Sequence, residues 1–232
     1  MSAPATDEVL GELEVVHLFA EAMPTGVSVS HTGRVFICYP KWGDEVTFTV
    51  GELRDNEMVA FPSQELNDNR SDTDPERLVS VQSIVVDPVD RLWILDTGSP
   101  EFTRTKPGGP KLVCVDLTTD TVVQTILIDP EVALPTTYLN DVRFDLRKGT
   151  AGVAYITDSS DSGPNGLIVV DLGTGQAWRR LHEHPSTRAV QPPDFVPVVE
   201  GRVFMERPRL GPPKPVLMGA DGIAIAADGS RV

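Results

Sequence analysis

One short pattern returns four times along this chain, and each time it sets a polar side chain directly before an apolar strand. The copies are TGVSVSHTGRVFICY (Thr25–Tyr39), QSIVVDPVDRLWILD (Gln82–Asp96), NDVRFDLRKGTAGVAYITD (Asn140–Asp158) and DGIAIAADGSRV (Asp221–Val232). Each opens with a polar residue and a small or polar one, then runs into a strand with apolar alternate positions. A tight turn follows around Gly33, Asp90 or Gly229, with an Arg one or two residues on; the third copy has a longer turn around Gly149 and Gly152. The first three continue into a return strand that ends at Tyr39, Asp96 or Asp158. Self-similarity of this kind predicts blades or solenoid turns.

Spacing chooses between them. Gly26 to Ser83 is 57 residues, Ser83 to Asp141 is 58, and Asp141 to Gly222 is 81. Roughly 50 residues hold four strands with their turns, the size of a propeller blade. The Pro-rich stretch 185–219 absorbs the longer last interval as an inter-strand loop. Short β-branched and aromatic runs bounded by Gly, Pro, Asp and Asn fill the rest, among them ELEVVHLF, EVTFTVGEL, KLVCVDL, VVQTILI and GLIVVDL. The reading is all-β: one partial β-propeller domain over residues 1–232, with three full blades, the start of a fourth and a flexible N-terminus over 1–13. SDTDPERL is expected to form a capped helical turn at most, and the acidic run 65–76 a solvated loop.

In a propeller the first strand of each blade starts near the axis, so Thr25, Gln82, Asn140 and Asp221 are expected to meet at one end of it. Tyr39, Asp96 and Asp158 end the return strands at the same end. Convergent polar groups over an apolar channel form a small-ligand site, although residues there also cap strand ends. A net charge of −14 disfavours nucleic acid and anionic membrane as partners, and no apolar run is long enough to span a bilayer. Cys38 and Cys114 lie inside apolar strand patterns without a CxxC spacing, which predicts buried free thiols. No basic and apolar leader is visible, so the chain read at face value is cytoplasmic. His182 and His184 have no further ligand nearby and are expected in a solvated loop.

Several segments together resemble the major royal jelly protein/yellow family: LVSVQSIVVDPVDRLWILDTG (Leu78–Gly98), GRVFICYPKW (Gly33–Trp42), PKLVCVDLTTDTVVQTI (Pro110–Ile126), YLNDVRFD (Tyr138–Asp145) and Ala154–Thr187. The resemblance implies a six-bladed β-propeller with a small-molecule pocket at its channel mouth, and a secreted, extracellular protein. It also implies dopachrome-type isomerase chemistry without a cofactor, or binding of amines. On that reading Asp221, Asp96 or Asp158 serves as the base, while Tyr39 or Trp42 stacks on an aromatic ligand beside Thr25, Gln82 and Asn140. Trp42 and Trp93 also suit core packing. Because three blades and part of a fourth do not close a ring, the chain is expected to be a truncated version of a longer protein or to be completed by a second chain as partner.

More distantly the repeat resembles the regucalcin/gluconolactonase propellers, which hold a divalent cation on this ring. Matched by position, Thr25 replaces their Glu, Gln82 replaces an Asn, and Asn140 and Asp221 are kept. Ca²⁺ or Zn²⁺ held by Asn140 and Asp221 and a lactone hydrolase are therefore the alternative, weakened because hard cations favour several carboxylates. A non-functional fragment is the third reading.

Overall fold

The structure is a computed structural model describing residues 11–68, 75–190, 192, 194–207 and 210–232. Three four-stranded antiparallel sheets follow one another in plain up-and-down order. The first holds β1 (Gly26–Val29), β2 (Val35–Cys38), β3 (Val50–Arg54) and β4 (Glu57–Ala60). The second holds β5 (Val81–Val86), β6 (Arg91–Asp96), β7 (Lys111–Asp116) and β8 (Thr121–Leu127), and the third β9 (Leu139–Asp145), β10 (Val153–Asp158), β11 (Gly166–Asp171) and β12 (Ala177–Arg180). The first strands pack side by side, β1 on β5 and β5 on β9. Three sheets of this order stacked through their first strands are blades of a β-propeller.

Strand sequences show why the blades stack. In RLWILD, Leu92 and Ile94 join a core with Phe36, Cys38 and Val50 of blade 1, whereas Trp93 and Leu95 join a core with Leu139, Ala154 and Ile156 of blade 3. Successive side chains leave a strand on opposite faces, so a strand buried on both must be apolar at consecutive positions. A third, smaller core of Ile37, Tyr39 and Val46 lies on the other face of blade 1. On β1 the valines Val27 and Val29 are 65% and 53% exposed.

The repeated turns form as expected. Gly33 N–H bonds Ser30 O at 3.0 Å, Asp90 N–H bonds Asp87 O at 3.0 Å, and Gly229 N–H bonds Ala226 O at 2.8 Å. The fourth copy has this turn, and Ala226 N–H reaches Arg231 O at 3.0 Å, but no strand is formed within Asp221–Val232. ELEVVHLF is extended and unpaired rather than a ladder strand, with Leu13, Val15, Val16 and Leu18 exposed. The stretch 185–219 is not wholly loop: β13 (Val198–Val199) pairs β14 (Arg202–Val203), and β15 (Met205–Glu206) pairs β16 (Lys214–Pro215). Most of the expected N-terminal arm and residues 69–74, which include the first half of SDTDPERL, lie outside the described residues, while Pro75–Leu78 form turn and bend without a helix. A 3₁₀ turn at Pro100–Phe102 was not foreseen.

Candidate functional site at the axial ring

The leading polar residues sit where the ladders slip. In β5, Val81 pairs Asp96 and Ser83 pairs Leu95, so Gln82 is the extra residue of a β-bulge. The β9–β10 ladder slips at the same place, between Ile156 and Asp158, opposite Asn140 and Asp141. In blade 1, Thr25 N–H bonds Cys38 O at 3.1 Å while Gly26 is the ladder partner of Cys38. A bulge leaves one residue outside the ladder and re-aims its side chain. Here the re-aimed side chain is the polar one.

Thr25, Gln82, Asn140 and Asp221 are brought together around one cavity of about 320 Å³, joined by Ser83, Asp141 and Arg143. Thr25 Oγ1 donates to Gln82 O at 3.0 Å, and Asn140 Nδ2 donates to Asp221 Oδ1. Ser83 Oγ donates to Asp141 Oδ1 at 3.0 Å, and Arg143 Nη1 reaches the same oxygen at 2.7 Å. The Asp141 charge is therefore matched, while no cation pairs with Asp221 among the described residues. Desolvation at the cavity wall pushes the Asp221 carboxyl above the usual carboxylate range; the Asn140 amide opposes this and the Asp141 charge adds to it. A cavity with one unmatched carboxylate and several neutral hydrogen-bonding groups suits a small polar or cationic molecule.

Beside the cavity stands an aromatic stack from three blades. Phe102 lies between Trp42, at 5.7 Å and 25°, and Tyr138, at 4.2 Å and 17°. Trp42 Nε1 donates to Tyr138 Oη at 2.6 Å, and Tyr138 Oη donates to Gln82 Oε1 at 3.0 Å. Trp42 thus joins the ring through Tyr138 rather than by lining the cavity. Glu101 and Phe102 both have left-handed backbone, and Glu101 N–H bonds Lys41 O at 2.8 Å, which ties this turn to the Trp42 loop. The polar-plus-polar opening of QS and ND was the signal for Ser83 and Asp141. Nothing local marked Tyr138 or Phe102.

Three expected site residues lie elsewhere. Asp96 is fully buried and accepts from Val79 N at 2.7 Å, Ser80 N at 2.9 Å and Gly98 N at 2.9 Å, with Lys111 Nζ at 3.3 Å. Asp158, equally buried, accepts from Tyr138 N at 3.0 Å, Thr137 Oγ1 at 2.8 Å and Arg179 Nη2 at 2.9 Å. Both carboxylates are spent on holding the segment that leads into the first strand of their own blade, so neither is a base facing the cavity. Tyr39 follows Cys38 by one residue, and strand alternation turns its ring to the far face of blade 1, against Phe19 and Phe48. Trp93 is core, with Nε1 donating to Asp87 Oδ2 at 2.9 Å. Both cysteines are buried and free, and His182 and His184 are exposed.

Comparison with known proteins identifies relatives of the chain. Dopaminechrome tautomerase of Drosophila melanogaster is 26% identical over 165 residues, covering 68% of this chain and 35% of that protein. Protein yellow is 27% identical over 169 residues in both Drosophila erecta and Drosophila melanogaster, covering 68% of this chain and 30% of each relative. The chain spans about a third of the length of these relatives. Among solved structures, YCF48 bound to D1 peptide aligns with a TM-score of 0.43 and 9% identity, over 87% of this chain and 51% of that one; so distant a likeness decides nothing about function. The family model described as major royal jelly protein matches residues 79–207, more than half of the chain. With that match, three blades in place and the four leading residues gathered on one cavity, this chain belongs to the major royal jelly protein family.

Proposed function

We propose that the axial ring binds a small aromatic or amine-containing molecule and supports dopachrome-type tautomerisation with Asp221 as the base. The observation that carries this reading is the convergence of Thr25, Gln82, Asn140 and Asp221 on one cavity, with Asp221 the carboxylate there that no cation matches among the described residues. Likeness to a dopaminechrome tautomerase supports the ligand class. The chemistry balances without a cofactor. The carboxylate takes a carbon-bound proton, the released electron pair moves into the ring system, and a proton returns to the quinone-type oxygen from Asp221 or water. Nothing is oxidised or reduced. General base catalysis of this kind contributes about 10²–10⁴-fold.

The test follows dopaminechrome decay at neutral pH with the wild-type chain and Asp221→Asn. Turnover that falls about 100-fold or more in the variant is expected; equal turnover in both, or no binding of dopamine or dopaminechrome, removes the reading. Tight dopamine binding without turnover would leave the ring as a sequestering site. Membership in a family of secreted proteins supports an extracellular place of action.

The lactonase reading has less support. Among the described residues no group of three or more His, Cys, Asp or Glu is placed to hold a metal ion. Asn140 turns its Nδ2 donor toward Asp221, and Asp141 is already paired with Arg143, so the donors do not fit a hard dication well. Calcium or zinc that raised the melting temperature by several degrees would restore that alternative. A second chain against the exposed valines of β1 remains our proposal for a partner; concentration-dependent sedimentation that disappears in Val27→Glu is the expected sign.

A further inference from the structure

We propose that the flank of blade 1 carries a second binding site, separate from the ring, for a small organic ammonium ion. A cavity of about 440 Å³ lies there, walled on one side by the segment His17–Ala22 and on the other by residues around β2, β3 and β4. It shares no lining residue with the axial cavity.

Three features of its wall select a cation. Four rings meet at steep angles: His17 on Phe19 at 67°, Phe19 on Tyr39 at 66°, and Tyr39 on Phe48 at 75°. Rings set in this way form the sides of a box, unlike the near-parallel stack at the channel mouth, and aromatic boxes attract ammonium groups through the ring quadrupole. Glu21, Glu45 and Glu57 also line the cavity, and among the described residues no Lys or Arg does. An anionic ligand would meet three like charges.

The second feature is Tyr39. It is only 6% exposed, yet its hydrogen bonds run through its backbone alone, to Thr49. Among the described residues the enclosed side-chain atom that lacks a partner is Ser159 Oγ, so the Tyr39 hydroxyl is reachable from the cavity it lines and open to a polar group of a ligand. Burial, with the negative charges of Cys38 and Glu21 in support, pushes its pKa up to about 12, so it stays neutral and can both donate and accept.

Third, the movable-looking wall is anchored. His17 Nδ1 lies 3.2 Å from Asn56 Oδ1 in the β3–β4 turn, and Met23 N–H bonds Asp44 Oδ2 at 3.2 Å. The cavity is therefore held open between two fixed points. An ammonium head fits against the rings and carboxylates, with a hydroxyl arm reaching toward Tyr39 Oη.

Choline and its neutral isostere 3,3-dimethylbutan-1-ol are the probes, titrated by NMR or calorimetry into the full chain. Choline is expected to bind about ten-fold more tightly than the isostere, since only the charge differs. Phe19→Ala and the pair Glu45→Gln with Glu57→Gln should each weaken choline about five-fold or more, and in the wild-type chain the Phe19 and Phe48 ring resonances should shift as choline is added. Phe19 lies outside the sheets, and circular dichroism is the check that the variant is folded. Equal binding of the two probes, undiminished binding in Phe19→Ala, Phe19 and Phe48 resonances that do not move, or no choline binding at all overturns the proposal.

Discussion

Tyr138, at the entry to blade 3, donates its phenolic hydrogen to Gln82 Oε1 of blade 2 across 3.0 Å. Tyr138 Oη in turn accepts the indole N–H of Trp42 from blade 1 at 2.6 Å. One hydroxyl therefore registers three blades at the channel mouth. Tyr138→Phe should cost about 1–3 kcal/mol, because it strands the Gln82 carbonyl and the Trp42 indole together. Urea unfolding measures it, and additivity with Gln82→Ala in a double-mutant cycle would show that the bond contributes nothing.

Asp96→Asn tests whether the buried carboxylates are structural. The change keeps the shape but leaves Lys111, itself fully buried, with backbone oxygens of Gly108 and Gly109 and no counter-charge. Breaking one side of a buried pair costs about 3–5 kcal/mol. A soluble variant with unchanged stability and lost ligand binding would reverse the assignment.

Arg34 clamps blade 1 to blade 2. Its Nε and Nη2 reach Glu52 at 2.6 and 2.9 Å, and its Nη1 reaches Asp120 Oδ1 and Leu117 O, each at 2.8 Å. Desolvation would raise the Glu52 carboxyl, but Arg34 and Arg54 outweigh it and hold it below 4.5. A carboxylate depressed by folding contributes stability that is complete above its unfolded value and is lost as pH falls. Stability should therefore drop below about pH 4.5. Arg34→Met should cost about 2–3 kcal/mol at neutral pH and flatten that acid limb, as followed by melting temperature against pH.

Asp221 has the opposite sign. Its carboxyl is raised by desolvation and by Asp141, against the pull of Asn140, so its share of stability is present below about 3.8 and lost as pH rises through the folded value. Affinity for an amine, which needs the ionised form, should climb through that same window above 3.8. Asp221→Asn should remove the climb in dopamine titrations between about pH 3.5 and 7. An unchanged profile would assign the dependence to another group.

The blades were legible because a strand buried on both faces leaves a dense record: RLWILD and KLVCVD cannot be anything exposed. The ring was legible for a related reason, since the repeat carries its polar residue at a constant offset from each strand. Asp96 and Asp158 misled because strand ends near an axis hold both functional and capping acids, and only their partners tell them apart. Tyr39 was misplaced by a single step of the strand, which reverses its face. The aromatic stack depends on loops of three blades, a relationship with no local signature. ELEVVHLF has strand composition, yet pairing is a property of two segments and none of the described residues supplies the second.

The slipped registers at Gln82 and Asn140 carry a further implication. A residue outside the ladder has no cross-strand neighbour to satisfy, so its side chain can be exchanged while the packed interior is left alone. Thr, Gln, Asn and Asp already occupy the four equivalent places here. The architecture thus separates its chemistry from its packed interior, and what limits exchange at Gln82 is the Tyr138 hydroxyl that its side chain accepts from the next blade.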